Sequence, residues 1–354
     1  VIPFLKPKRD KTKLSGKALF FRKRGDKVLC ALCPHSCMLD EGERGLCGVR
    51  ERRGNELISL NYGVLISAHI DPIEKKPLYH FLPGSASLSV AAPGCNLSCK
   101  WCQNWEISQL PVLQPETMTR LAERRVPPED VVATAVRAGV PSVSYTYTEP
   151  TVYYEYALEI MKLAKDRGLR NIWVTNGFIS SRPLSGLRGL LDSANVDFKF
   201  VDQKAMQKWT GGRPGPVMNA LRLMKKMGVW VEVTTLLVPG VNDSDREIRE
   251  IARFISQELG PETPWHVSGF YPAFRARDIP PTPASSLRRA IAIGKGEGLL
   301  FIYPGNRDMP GFEDTHCPSC GALLIKRHWF SVIQNRLRGG MCPDCGESVP
   351  GVWE

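Results

Sequence analysis

The chain has 354 residues, 43% apolar and 23% charged, which is enough to bury a sizeable core in two or three units and excludes a disordered or fibrous protein. No run approaches 18 uninterrupted apolar residues, and Val1 to Leu5 is too short before Lys6, Lys8 and Arg9 to act as a secretory segment, so the expectation is a cytoplasmic protein without membrane contact. The net charge of +11 is unevenly spread, and most of it sits in the first 29 residues.

Residues 1–29 form a basic arm, with ten Lys or Arg against Asp10 and Asp26. Such an arm suits RNA phosphates, an acidic protein partner or plain solvation. Only Phe4, Phe20 and Phe21 interleave with the charges, so the stacking surface that nucleic acid wants is lacking and a metal-ribbon RNA-binding protein is the weakest reading.

The eleven cysteines fall into a quartet, a triplet and a second quartet, with none left over. Close spacing and no export signal read as metal ligation in a reducing compartment. The first quartet, Cys30, Cys33, Cys37 and Cys47, opens a module over residues 30–84. Its glycines permit tight turns, and either zinc or an iron–sulfur cluster suits it, with His35 a possible substitute ligand. Asp71 to Phe81, rich in polar groups, is expected to lie outside the barrel that follows, capping a pocket or serving as a linker.

A short strand, Ser87 to Pro93, leads into the triplet Cys95, Cys99 and Cys102. Three thiolates cannot close a tetrahedral site, but on a [4Fe–4S] cubane they leave one iron open to a small molecule. A zinc site completed by a distant ligand is the alternative. Beyond Cys102, β-rich runs (142–147, 171–175, 195–200, 230–237, 264–269 and 300–303) alternate with helical patterns such as Val152, Tyr156, Ile160 and Leu163. Ser244 and Glu247 make a capping box for a helix running to about Leu259. The α/β alternation implies parallel strands in an incomplete, partial TIM-like β/α barrel over residues 85–305. Strand parity turns Asp197 with Lys199, Glu232 with Thr234, and His266 with Ser268 toward its lumen.

Residues 306–354 carry C-P-S-C-G and C-P-D-C-G, with 21 residues between Cys320 and Cys342. Cys317, Cys320, Cys342 and Cys345 read as a structural zinc site, iron being the alternative, in a zinc-ribbon or rubredoxin-like module.

The C-x3-C-x2-C triplet, with Trp101 before its last cysteine, resembles the radical S-adenosylmethionine superfamily. More narrowly, the chain is similar to the radical S-adenosylmethionine enzymes of the AmmeMemoRadiSam system, relatives of the pyruvate formate-lyase activating enzymes. The stretches that carry this are C-A-L-C-P-H-S-C, D-P-I-E-K-K-P-L-Y-H-F, G-C-N-L-S-C-K-W-C-Q-N-W, Y-T-E-P, V-T-N-G and V-P-G-V-N-D, with the C-terminal knuckles. The resemblance implies a [4Fe–4S] cluster whose open iron binds S-adenosylmethionine and cleaves it reductively to methionine and a 5′-deoxyadenosyl radical. It also implies that Tyr147, Thr148 and Glu149 receive the amino group, in place of the family's Gly-Gly-Glu, so that Glu149 keeps its role while the backbone contacts change. Asn176 falls at the ribose, Lys199 at the methionine carboxylate and Trp101 near the adenine. A reductant such as ferredoxin or flavodoxin and Memo-type and AMMECR-type proteins are the implied partners. A glycyl-radical activase is the alternative within the same chemistry.

Overall fold

In the computed structural model, which describes residues 16–121, 123 and 125–354, the N-terminal module makes two small antiparallel units. Strands β1 (Phe21–Arg24), β2 (Lys27–Cys30) and β3 (Met38–Leu39) form one, and β4 (Arg50–Arg53) pairs with β5 (Glu56–Ser59) in the other. Residues 1–15 of the basic arm lie outside the described residues.

The central sheet has eight strands in chain order across the sheet: β6 (Ser67–Pro72), β7 (Ala86–Ala91), β8 (Ser142–Tyr145), β9 (Arg170–Thr175), β10 (Ser193–Asp197), β11 (Trp230–Leu237), β12 (Trp265–Gly269) and β13 (Ile302–Gly305). From β7 to β13 every pairing is parallel, as strands joined by helical crossovers require. The two edges do not pair, so the barrel is partial. Helices cover the outer face through apolar stripes; in Tyr154–Asp166 the buried side chains include Tyr156, Ala157, Ile160 and Ala164.

Two expectations need correction. Strand β6 pairs antiparallel with β7, Asp71 opposite Ser87, so the polar stretch starts inside the sheet. The segment ends in Pro72 and exposes half its residues, which hides a strand from sequence but suits an edge. After it, Ile73, Leu78 and Phe81 fold back and bury against Ile172, plugging one end of the barrel. The capping box is also only half made. Ser244 Oγ accepts from Glu247 N at 3.3 Å, but the Glu247 carboxylate takes Val201 N at 2.6 Å instead of reaching back. That helix, Asp245–Phe254, widens into a π turn over Ile255–Leu259.

In the C-terminal module β14 (Thr315–His316), β15 (Leu323–His328) and β16 (Ser331–Asn335) form an antiparallel sheet. Its apolar residues pack with Tyr79, Phe301 and Tyr303 of the barrel. No described helix is long and apolar enough to cross a membrane.

Candidate active site

A cavity of about 630 Å³ opens at the carboxyl ends of the strands, where β/α barrels gather their reactive groups. The loop after β7 brings Cys95, Cys99 and Cys102 into its wall. Gly94 makes the entry turn at φ 110°, and a Cβ there would stand 3.0 Å from Val49 Cγ1 and 3.3 Å from the Cys47 carbonyl, so this position admits only glycine without strain.

The sulfurs are tethered by polar neighbours. Cys95 Sγ accepts from Leu97 N at 3.4 Å and Asn176 Nδ2 at 3.6 Å, and Cys102 Sγ lies 3.3 Å from Ser108 Oγ. Burial pushes all three thiols up, Cys99 to about 12 although Lys199 opposes the shift. Thiols so placed keep their protons until a metal displaces them.

Glu149 is buried between the strand ends, and among the described residues no cation pairs with it. Its Oε1 accepts from Thr151 N (3.0 Å), Thr151 Oγ1 (2.6 Å) and Thr175 Oγ1 (2.7 Å), and Oε2 from Asn176 N (2.8 Å). Burial raises its pKa, and these hydrogen bonds only partly offset that. Across the cavity Lys199 is paired with Asp197 at 2.7 Å, two residues beyond the β10 terminus for the lysine. Burial works against the ammonium, but Asp197 and then Cys99 and Cys102 hold its pKa well above the usual lysine range.

Tyr147 adopts φ 63°, a left-handed conformation in which a bulky residue is an outlier. Its hydroxyl donates to Asp71, its carbonyl accepts from Asn104 Nδ2 at 2.8 Å, and Lys76 Nζ lies 4.6 Å above its ring while pairing with Asp71 at 2.6 Å. These contacts over-determine the strained turn. The Tyr-Thr-Glu departure thus puts tyrosine in a conformation suited to glycine. Thr148 bonds the Ala92 carbonyl at 2.6 Å, and Trp101 packs 5.9 Å from both Phe200 and Trp209.

Asn176, Asp197, Lys199, Trp101, Tyr147, Thr148, Glu149 and His266 all line the cavity; Glu232 does not. Its carboxylate accepts from Tyr79 N (2.9 Å), His80 N (2.8 Å) and Trp230 Nε1 (3.1 Å) and meets His266 Nε2 at 2.6 Å. Parity does turn Glu232 inward, but at a depth where the plug fills the barrel, so it anchors that segment. Sequence reasoning missed Asn104, Ser108 and Phe330 of the lining. The two in the cluster loop's continuation had a signal in their nearness to Cys102, whereas Phe330 reaches the cavity from the C-terminal module with none.

The quartets differ. Cys317 Sγ stands 3.6 Å from Cys345 Sγ, and Cys320 Sγ 3.8 Å from Cys342 Sγ. All four ligand atoms lie within 4.8 Å of one another, and among the described residues no other group of three or more His, Cys, Asp or Glu does so. This is the geometry of four sulfurs around one tetrahedral ion.

The sequence model of the Radical SAM superfamily matches residues 89–255, the part that carries the triplet, Glu149 and Lys199. Uncharacterized protein MJ0808 of Methanocaldococcus jannaschii is 42% identical over 338 residues, covering 94% of this chain and 98% of its own. The chain belongs to the radical SAM superfamily. This radical SAM enzyme is also 26% identical, over half its length and 74% of the relative's, to the pyruvate formate-lyase-activating enzyme of Clostridium pasteurianum, a distant relationship. Among solved structures, a radical SAM methyltransferase from Sphaerobacter thermophilus aligns at 18% identity and a TM-score of 0.47, covering 69% of this chain and 71% of that one. Membership sets aside the metal-ribbon RNA-binding reading.

Proposed function

We propose that this enzyme belongs to the AmmeMemoRadiSam group, holds a [4Fe–4S] cluster on Cys95, Cys99 and Cys102, and seats the methionine half of S-adenosylmethionine between Glu149 and Lys199. Bound together, cluster and cofactor supply a 5′-deoxyadenosyl radical that abstracts hydrogen from substrate. The observation that carries the reading is one cavity holding three half-buried thiols, a buried carboxylate that no cation among the described residues pairs with, and a lysine facing the thiols. Such a donor set has too few positive charges by itself, and iron ions and an ammonium group balance it. Phe330 in the wall supports a small substrate over the protein loop that a glycyl-radical activase must admit. A cytoplasmic setting, a ferredoxin or flavodoxin as reductant, and Memo-type and AMMECR-type partners complete the proposal; eleven unpaired cysteines among the described residues suit the reducing compartment.

Glu149→Gln tests it in anaerobically reconstituted protein. Loss of one buried charge-assisted contact, worth about 1.5 to 3 kcal/mol, weakens S-adenosylmethionine binding roughly ten- to hundredfold. The cluster's own paramagnetic signal stays. In the wild type, the proton on Glu149 opposes an ammonium ligand. Because burial raises this pKa, affinity rises with pH through it and binding releases a proton. A Kd within about twofold of wild type, with no pH dependence, removes Glu149 from the reading; Lys199→Ala then tests the carboxylate end separately.

A further inference from the structure

The first quartet is a built site of another kind from the second. Zinc–sulfur bonds of about 2.3 Å put tetrahedral thiolates about 3.8 Å apart, as the C-terminal pairs are. Among Cys30, Cys33, Cys37 and Cys47 no three sulfurs lie mutually within 4.8 Å. Yet they belong to one part of the core, Cys30 and Cys47 buried within it and Cys33 and Cys37 packed against it. Burial raises the Cys33 thiol, and like-charge repulsion from Cys47, Cys30 and Cys37 adds to it; Cys47, at about 11, feels burial first and then Cys30 and Cys37. The backbone N–H groups of His35, Leu46 and Val49 oppose this rise at Cys33, Cys37 and Cys47. Donors of this kind tune iron–sulfur potentials.

Beneath them Arg50 is fully buried. It is paired to Glu155 at 3.0 Å, but its Nε has no hydrogen-bond partner. Burial opposes its charge, while Glu155 and then Cys30 and Cys47 sustain it. A cation so placed, with a donor to spare, fits an anionic centre held by those two cysteines.

The quartet also grips the loop of the triplet. The Cys47 carbonyl and Val49 press on Gly94, and His35 Nε2 meets the Asn96 carbonyl at 2.6 Å, so Cys95 is bracketed by the quartet's own turns.

We propose that Cys30, Cys33, Cys37 and Cys47 hold a second [4Fe–4S] cluster, not a single zinc ion, and that electrons reach the triplet's cluster through it. A cubane lies between its four thiolates and holds them wider than one ion does, which agrees with a quartet that does not close to the spacing of a single ion. One electron comes from a low-potential one-electron donor of the flavodoxin or ferredoxin class, which is left oxidised by one. The quartet's cluster is reduced and then reoxidised as it passes that electron on, with no bond made or broken in the protein. The site assignment stands apart from the radical SAM reading, and only the electron's destination rests on it.

The experiment uses the full chain with Cys95, Cys99 and Cys102 all changed to Ala, reconstituted anaerobically with iron and sulfide. We expect about four iron and four sulfide per chain, as one cubane requires, and a reduced-state paramagnetic signal that S-adenosylmethionine does not alter. A chain with no iron, whether holding one zinc or two, overturns the second cluster. In wild-type protein mixed with substoichiometric dithionite and freeze-quenched, the signal insensitive to S-adenosylmethionine should rise first and decay as the sensitive one grows; the reverse order overturns the relay. Failure of the triplet reading looks different, because wild type would then show no S-adenosylmethionine-sensitive signal at all.

Discussion

Two groups of four cysteines sit at opposite ends of one chain, and they are integrated into it in opposite ways. In the C-terminal quartet Cys320 and Cys345 are exposed, while Cys317 and Cys342 belong to a small apolar cluster with Leu324, Ile325 and Val349. In the N-terminal quartet Cys30 and Cys47 lie in the main core with Leu88, Val90 and Leu97. One thiol of the C-terminal quartet, Cys317, shows this difference in its chemistry. Burial works against Cys317, but N–H groups of Cys320 and Ser319 outweigh it and bring the thiol down to about 7, so about half of it is thiolate near neutral pH, while its neighbours hold Cys320 and Cys345 up. In the N-terminal quartet burial pushes up Cys33, Cys37 and Cys47. A metal at the chain's end therefore organises a local module, whereas one in the first quartet is built into the wall behind the active-site loop.

The largest effect that sharpens this contrast comes from Cys342→Ser. Binding free energy at a structural zinc site is folding free energy, of order 10 kcal/mol. The segment after residue 306 should become protease-sensitive while iron at the other sites is kept. An unchanged digestion pattern with full zinc content would contradict a metal-built module. A smaller effect comes from the side chain that docks the module. Arg327 is fully enclosed, donating to the Tyr79 carbonyl and Thr315 Oγ1 at 2.7 Å each, with Glu74 at 4.0 Å. Arg327→Met leaves Glu74 buried without its cation, which costs about 3 to 5 kcal/mol. Denaturant unfolding of the zinc-loaded protein measures this, and a loss below about 1 kcal/mol would mean the module is held by its apolar contacts alone.

What the sequence made legible is what short spacing encodes. The triplet, the knuckles and the alternation from Ser87 to Tyr303 are local patterns, and strand parity turned Asp197, Glu232 and His266 inward. Parity cannot report depth, so Glu232 was not separable from its cavity-lining neighbours until the plug over Ile73 to Phe81 was seen to fill the space beside it. Nor does spacing reveal what arrives from afar. The contact of Asp71 and Lys76 with Tyr147 and the reach of Phe330 into the cavity both depend on chain segments far apart in sequence. Strand β6 escaped notice for a different reason, since an edge strand ending in proline lacks the apolar run that marks the buried ones.

The finest test uses two glycines, one from each region. Gly94 stands at φ 110° with Val49 and the Cys47 carbonyl within 3.3 Å of a new Cβ, whereas Gly321, in the first C-terminal knuckle at φ 75°, has nothing within 4 Å. Gly321→Ala meets only the backbone penalty of a left-handed residue, about 1 to 2 kcal/mol. Gly94→Ala meets a comparable backbone penalty, and in addition either Val49 or the loop must move. A shift there is shared, because the same atoms shape the shell of Cys47 and the approach to Cys95. We therefore expect Gly94→Ala to alter the paramagnetic spectra of both iron sites and Gly321→Ala to alter neither, with stability losses from denaturant unfolding that differ by only about 1 kcal/mol. A change confined to the triplet's spectrum would break the comparison, since it would mean the quartet supports that loop without being coupled to it.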